Sequence, residues 1–120
     1  MNEPSGQGYL TTHVLDTTRG VPAEGIEIDL YRIDGDDRRH LALRVTNADG
    51  RTDTPILPAE VFAPGTYELE FHAGDYLDRF GAPGPRFLTV IPIRFTMDAE
   101  SHYHVPLLLS PFGYSTYRGS

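Results

Sequence analysis

Apolar residues recur at every second position in several short runs of this chain, and turn-forming residues separate the runs. Between Tyr9 and Asp16, Leu10, Thr12 and Val14 share one face of an extended segment, and Thr11, His13 and Leu15 share the other, because a strand sends alternate side chains to opposite faces. Over residues 26–33, Ile26, Ile28 and Leu30 alternate with Glu27, Asp29 and Tyr31, and Asp34-Gly35-Asp36-Asp37 follows as a hairpin turn. The next run sets Leu41, Leu43 and Val45 on the expected inward face and ends at the turn Asn47-Ala48-Asp49-Gly50, directly before Arg51. In residues 66–72, Tyr67, Leu69 and Phe71 point inward against Glu68, Glu70 and His72. Residues 87–96 read as a longer strand in which Pro92 calls for an edge position or a bulge.

The run at residues 102–110 is the most informative. Tyr103, Val105, Leu107 and Leu109 form an apolar face, while His102, His104, Pro106 and Ser110 share the opposite face with Leu108. The chain then ends on Tyr117-Arg118-Gly119-Ser120. Chain ends are usually frayed and polar, so aromatics and an arginine at this end suggest that it is docked. Tyr114 and Tyr117 are expected to pack the tail back onto the body. Residues 17–25, 55–64 and 82–86 are Gly/Pro-rich loops, and only residues 75–80, between Gly74 and Gly81, predict a helix. Short alternating strands with regular turns predict an all-β fold, an antiparallel β-sandwich.

Composition narrows the function classes. A length of 120 residues is one domain, with residues 1–8 a small, polar, flexible lead and 9–120 the folded part. A net charge of -7 argues against nucleic acid as a partner. The chain has no cysteine, which removes disulfides and thiolate metal sites. No apolar run reaches membrane-spanning length and the start has no secretory pattern, so the expectation is a soluble cytoplasmic protein with no membrane partner. No nucleotide or phosphate loop is present.

The His102-x-His104 pair has three readings by spacing alone. With His13 it can ligate zinc; it can act in acid–base chemistry near an ordinary pKa of about 6.5; or it is a polar outer face. Arg51 beside the histidines would repel a divalent cation, and no acidic residue stands at a convincing ligand spacing. Arg51 itself is either solvent-facing, as residues after turns usually are, or a fixed guanidinium aimed into a cleft. His40 and His72 read as surface residues.

Three separated motifs carry a family resemblance: Leu10-Thr11-Thr12-His13-Val14-Leu15-Asp16, Thr46-Asn47-Ala48-Asp49-Gly50-Arg51-Thr52, and His102-Tyr103-His104-Val105-Pro106-Leu107 with the terminal Tyr117-Arg118-Gly119-Ser120. In order and over nearly the whole chain, they resemble the transthyretin-related 5-hydroxyisourate hydrolases. One departure is that Pro92 comes later in its strand than the proline usual in that family. The resemblance implies an eight-stranded transthyretin-like sandwich with one short helix. It further implies a homotetramer with sites where dimers meet, and 5-hydroxyisourate as substrate, hydrolysed in urate degradation. No metal and no other cofactor is implied. His13, Arg51 and His104 would be catalytic, and Tyr117, Arg118 and Ser120 would bind substrate; the role of His102 is not specified. His104 is the expected base, with His13 orienting or protonating. A neutral-histidine base predicts kcat/KM rising through an apparent pKa of roughly 6 to 7. The alternatives are a small-aromatic-ligand carrier of transthyretin type and a zinc-dependent hydrolase.

Overall fold

The computed structural model describes residues 8–80 and 83–119. Among these residues, eight strands form two four-stranded sheets. They are β1 (Tyr9–Asp16), β2 (Val21–Pro22), β3 (Glu27–Asp34), β4 (Asp37–Val45), β5 (Gly65–His72), β6 (Val90–Met97), β7 (His102–Ser110) and β8 (Gly113–Thr116). The first sheet runs β2-β1-β7-β8 and the second β4-β3-β5-β6. One helix, α1 (Ala73–Phe80), follows β5, and a 3-10 turn spans Ala59–Val61. Of the expected lead, only Gly8 is described. It is buried, and a Cβ there would meet the Phe62 ring at 2.6 Å.

The alternating residues meet between the sheets. Leu10 and Val14 of β1, Leu107 and Leu109 of β7, Ile28 and Leu30 of β3, and Leu69 and Phe71 of β5 are all fully buried. Burying side chains of this size stabilises the fold by about 1.5–3 kcal/mol each before ordering costs. Thr12, the polar member of the inward face of β1, is buried with its hydroxyl donating to the Val105 carbonyl at 2.7 Å. The helix is tied to β1 because the Tyr76 hydroxyl donates to the buried Asp16 carboxylate at 2.8 Å. Pro92 lies in β6, opposite Glu70 in an edge strand, the position in a sheet where proline is tolerated. This strand starts at Val90, three residues later than the pattern predicts.

Two features depart from the sequence reading. Leu41, Leu43 and Val45 are not inward: they are 37%, 46% and 52% exposed, and Ala42 is the buried residue of β4. The ladder pairs Leu43 with Asp29 and Val45 with Glu27, whose side chains face outward, and cross-strand neighbours share a face. A register shift opposite Leu30/Tyr31 inserts Leu41 and reverses the alternation toward His40. The second departure is that β1 and β7 pair in parallel, with Thr11 opposite His104 and Tyr9 opposite His102, in an otherwise antiparallel pair of sheets. That pairing builds the candidate site.

Candidate active site

The outer face of the first sheet carries a row of side chains fixed by the parallel ladder. Because β1 and β7 run the same way, Thr11, His13, His102 and His104 project from one surface within reach of one another. His13 Nδ1 lies 2.7 Å from His104 Nε2. His104 Nδ1 lies 2.7 Å from the Thr11 hydroxyl, which lies 2.7 Å from His102 Nε2. The His13 and His104 ring planes are within 22° of each other. Their nitrogen contact has hydrogen-bond length. It is shorter than the ~3.3 Å that two zinc-bound nitrogens would keep in a tetrahedral shell of 2.0–2.1 Å bonds. Among the described residues, no group of three or more His, Cys, Asp or Glu side chains is arranged to hold a metal ion.

Arg51 arrives from the turn after β4. Asn47 closes that turn: its side-chain oxygen accepts from the backbone N–H groups of Asp49 and Arg51 at 2.9 and 3.2 Å. Gly50 has φ +73°, and a Cβ there would lie 2.5 Å from the Val14 carbonyl oxygen. Only glycine lets the turn press this closely on β1. The Val14 N–H donates to the Gly50 carbonyl at 2.9 Å, and Arg51 forms an isolated bridge with His13. The guanidinium is near enough for its charge to act on both histidines, and it has no ion-pair or hydrogen-bond partner of its own among the described residues. Together with Tyr9, Thr11, His102, His104 and Asp53, Arg51 lines a cavity of about 380 Å³.

The tail closes the site from the other side. The Gly119 N–H donates to the His104 carbonyl at 2.7 Å, and a Cβ on Gly119 would meet the His104 ring at 2.8 Å. Tyr117 and Arg118 turn elsewhere. They line a separate cavity of about 520 Å³ between β6 and β8, and the Arg118 guanidinium sits 4.2 Å from the centre of the Tyr103 ring. Tyr114 and Tyr117 are 44% and 56% exposed rather than packed. Ser120 lies outside the described residues.

The electrostatics favour neutral imidazoles. Burial, then the charges of His13, Arg51 and His102, lower the pKa of His104 to about 4. Burial and Arg51 also lower that of His13. Two histidines sharing one hydrogen bond titrate as a pair. An unprotonated pair facing a fixed guanidinium offers a base next to a group that stabilises developing negative charge. The structure therefore brings His13, His104 and Arg51 together, adds His102, and leaves the side chains of Tyr117 and Arg118 apart. It also brings in Thr11 and Gly119. Alternation had already put Thr11 on the face of His13, but nothing in the sequence reveals that β1 and β7 are parallel neighbours.

A sandwich of two four-stranded sheets, with a histidine pair and an arginine on the outer face of one of them, has the parts of an acid–base site on a transthyretin-type fold. Residues 10–119 match the HIUase/transthyretin family, and the chain belongs to that family. It is 60% identical over 119 residues to 5-hydroxyisourate hydrolase 2 of Rhizobium meliloti, covering 97% of this chain and 99% of that one. Among solved structures it is similar to 5-hydroxyisourate hydrolase of Klebsiella pneumoniae, at 37% identity and TM-score 0.77 with both chains covered in full. It is also similar to (S)-allantoin synthase, at 44% identity and TM-score 0.86, where it covers 94% of this chain but spans 44% of that protein.

Proposed function

We propose that this protein hydrolyses 5-hydroxyisourate, opening its six-membered ring at an amide-type bond to give 2-oxo-4-hydroxy-4-carboxy-5-ureidoimidazoline in urate degradation. The observation that carries the reading is the His13–His104 hydrogen bond of 2.7 Å beside Arg51, in a chain 60% identical to a hydrolase so named. Water attack on a carbonyl needs a base and a donor for the oxyanion. Both ring nitrogens of His104 are engaged, one by His13 and one by Thr11. His13 Nε2, the ring nitrogen not bonded to His104, has no hydrogen-bond partner among the described residues. We therefore move the base role from His104, where the sequence put it, to His13, with His104 holding the second nitrogen of the pair. Arg51 stabilises the oxyanion. Burial and Arg51 also move the expected acid limb below the sequence-based value of 6 to 7, because they disfavour the protonated pair.

Tyr117, Arg118 and Ser120 remain proposed substrate contacts. Tyr117 and Arg118 lie away from the histidines within one chain, so they reach substrate only where chains meet, in the homotetramer that we propose. A fully active monomer in sedimentation would remove that role. We also retain a cytoplasmic location; among the described residues no helix is long and apolar enough to cross a membrane. The carrier reading is disfavoured because a cluster of titratable groups adds nothing to holding an aromatic ligand. Adding the protein to urate and urate oxidase tests the function. Faster decay of the transient 5-hydroxyisourate absorbance supports it, and decay at the spontaneous rate rejects it.

A further inference from the structure

We infer that Thr11 and His102 extend the His13–His104 pair into a four-group proton relay, in which the Thr11 hydroxyl passes the proton on and the ring of His102, exposed in the single chain, is the outlet. The inference deepens the hydrolytic reading and rests on it for its kinetics. Its structural core stands on the hydrogen bonds alone.

The geometry is a line: His13 Nδ1 to His104 Nε2, His104 Nδ1 to Thr11 Oγ1, Thr11 Oγ1 to His102 Nε2, each 2.7 Å. A neutral imidazole has one N–H and one lone pair, and a hydroxyl has one proton. Those counts allow two polarities along the full line. In the first, His13 Nδ1–H donates to His104 Nε2, His104 Nδ1–H donates to Thr11, and the Thr11 hydroxyl donates to His102 Nε2. That arrangement leaves a lone pair on His13 Nε2, the nitrogen without a partner. In the second, every bond is reversed and His13 Nε2 carries a proton. Only the first makes His13 a base. The other acceptor near the Thr11 hydroxyl is the Tyr103 carbonyl at 3.5 Å, too long to compete with His102.

Proton transfer along this line balances group by group. His13 Nε2 takes the proton from the attacking water, and the His13 Nδ1 proton passes to His104 Nε2. The His104 Nδ1 proton passes to Thr11, and the Thr11 proton passes to His102 Nε2. His13 and His104 end neutral, and the positive charge rests on His102. That displacement has a physical reason. His13 and His104 are half-buried beside Arg51, where a second cation is disfavoured. His102 is exposed, and Tyr9 stacks on it with ring centres 4.1 Å apart and planes 9° apart. An aromatic face attracts a cation, and water solvates it. The other charged groups facing the relay are Arg51 and Asp53, from the segment that lines the same cavity.

The test has a spectroscopic arm and a kinetic arm. The spectroscopic arm is two-bond ¹H–¹⁵N correlation of ring-labelled histidines in the free protein at pH 7.5. The expected result is protonation at Nδ1 of His13, His104 and His102, with Nε2 bare on each. Thr11→Val keeps the β-branched shape and removes the hydroxyl, and His104 should then lose its single tautomer. A wild-type His104 protonated at Nε2 overturns the inference. The kinetic arm uses 5-hydroxyisourate. Thr11→Val should lower kcat by about tenfold or more with KM within about twofold, and Thr11→Ser, which restores the hydroxyl, should recover most of the loss. His102→Phe keeps the stack on Tyr9 while removing both ring nitrogens. It should lower kcat in the same way, and it serves if Thr11→Val does not fold. Unchanged kcat and pH profile in folded Thr11→Val or His102→Phe overturn the relay. If the wild-type protein does not hydrolyse 5-hydroxyisourate, the hydrolytic reading fails by itself, and the tautomer spectra still decide whether the polarised line exists.

Discussion

The outer faces of the two sheets both carry clustered histidines, and they treat them in opposite ways. On the second sheet, His40 of β4 and His72 of β5 each place Nε2 2.7 Å from one of the two oxygens of Asp29 on β3 between them. Burial alone would raise the Asp29 carboxyl, but the hydrogen bonds from His72 and His40 outweigh it and hold it below its ordinary value. Around this cluster, Arg38 pairs with Glu68 and Glu70, and Arg94 pairs with Glu68. These carboxylates each have a histidine or arginine partner. On the first sheet, His13 and His104 face each other beside Arg51, and among the described residues neither ring makes an ion pair with a carboxylate. The same residue type pairs with a carboxylate across strands on one face and with a second imidazole on the other, where burial and Arg51 disfavour the protonated form. The distinction lies in what surrounds the rings: a carboxylate on the strand between them, or a second imidazole and the arginine of the turn after β4.

The largest effects should come from the unpaired face. His13→Asn or His104→Asn should lower kcat/KM by on the order of 10² to 10⁴. Because the two rings act as a unit, the double substitution should cost little more than either alone. His40→Asn and His72→Asn should leave kcat/KM unchanged, and losses of similar size there would erase the contrast. Next, Arg51→Gln should lower kcat by about 10² to 10³ and move the acid limb of the pH profile upward, since Arg51 is one of the groups keeping the pair neutral. A change confined to KM would restrict Arg51 to ground-state binding.

Gly119→Ala comes third. Its Cβ would press on the His104 ring, so kcat should fall by about tenfold through misplacement, with circular dichroism unchanged; full activity would show that the tail can yield. The fourth effect is on stability. His104 has its ordinary value near 6.5 when unfolded and about 4 when folded, so between these values the unfolded chain takes up the proton and the folded chain does not. Stability from this group is complete above pH 6.5 and declines as pH falls toward 4. Melting temperature followed over that range should drop less steeply in His104→Asn. The smallest effect belongs to the paired face: Asp29→Asn should cost about 1 kcal/mol or less, seen as a slightly lower melting temperature with activity intact.

The residues of the candidate site were more legible in the sequence than their arrangement. Period-two alternation put Leu10, Thr12 and Val14 on one face of β1 and His13 on the other, and the glycine in Asn47-Ala48-Asp49-Gly50 marked the turn that carries Arg51. Alternation defines two faces without saying which one meets the core. On β4 the apolar set Leu41, Leu43 and Val45 lies outside, because a bulge and an edge position override the pattern. Sequence also carries no mark of which strands become neighbours. The parallel β1–β7 pairing joins segments more than ninety residues apart in hydrogen bonds such as Thr11 to His104, so His102-x-His104 could be read equally well as zinc ligands, base or surface. The direction of Arg118 was hidden for the same reason: its position beside Tyr103 depends on where β8 lies.

The neutrality of the His13–His104 pair as the working base is tested most directly by kcat/KM for 5-hydroxyisourate decay, measured in the wild-type protein from pH 4.5 to 8. Burial and Arg51 place the acid midpoint below 6.5, so more than half of the plateau activity remains at pH 6.5, and the midpoint does not change in His40→Asn or His72→Asn. A midpoint at or above 6.5, or one that moves with His40 or His72, would contradict it.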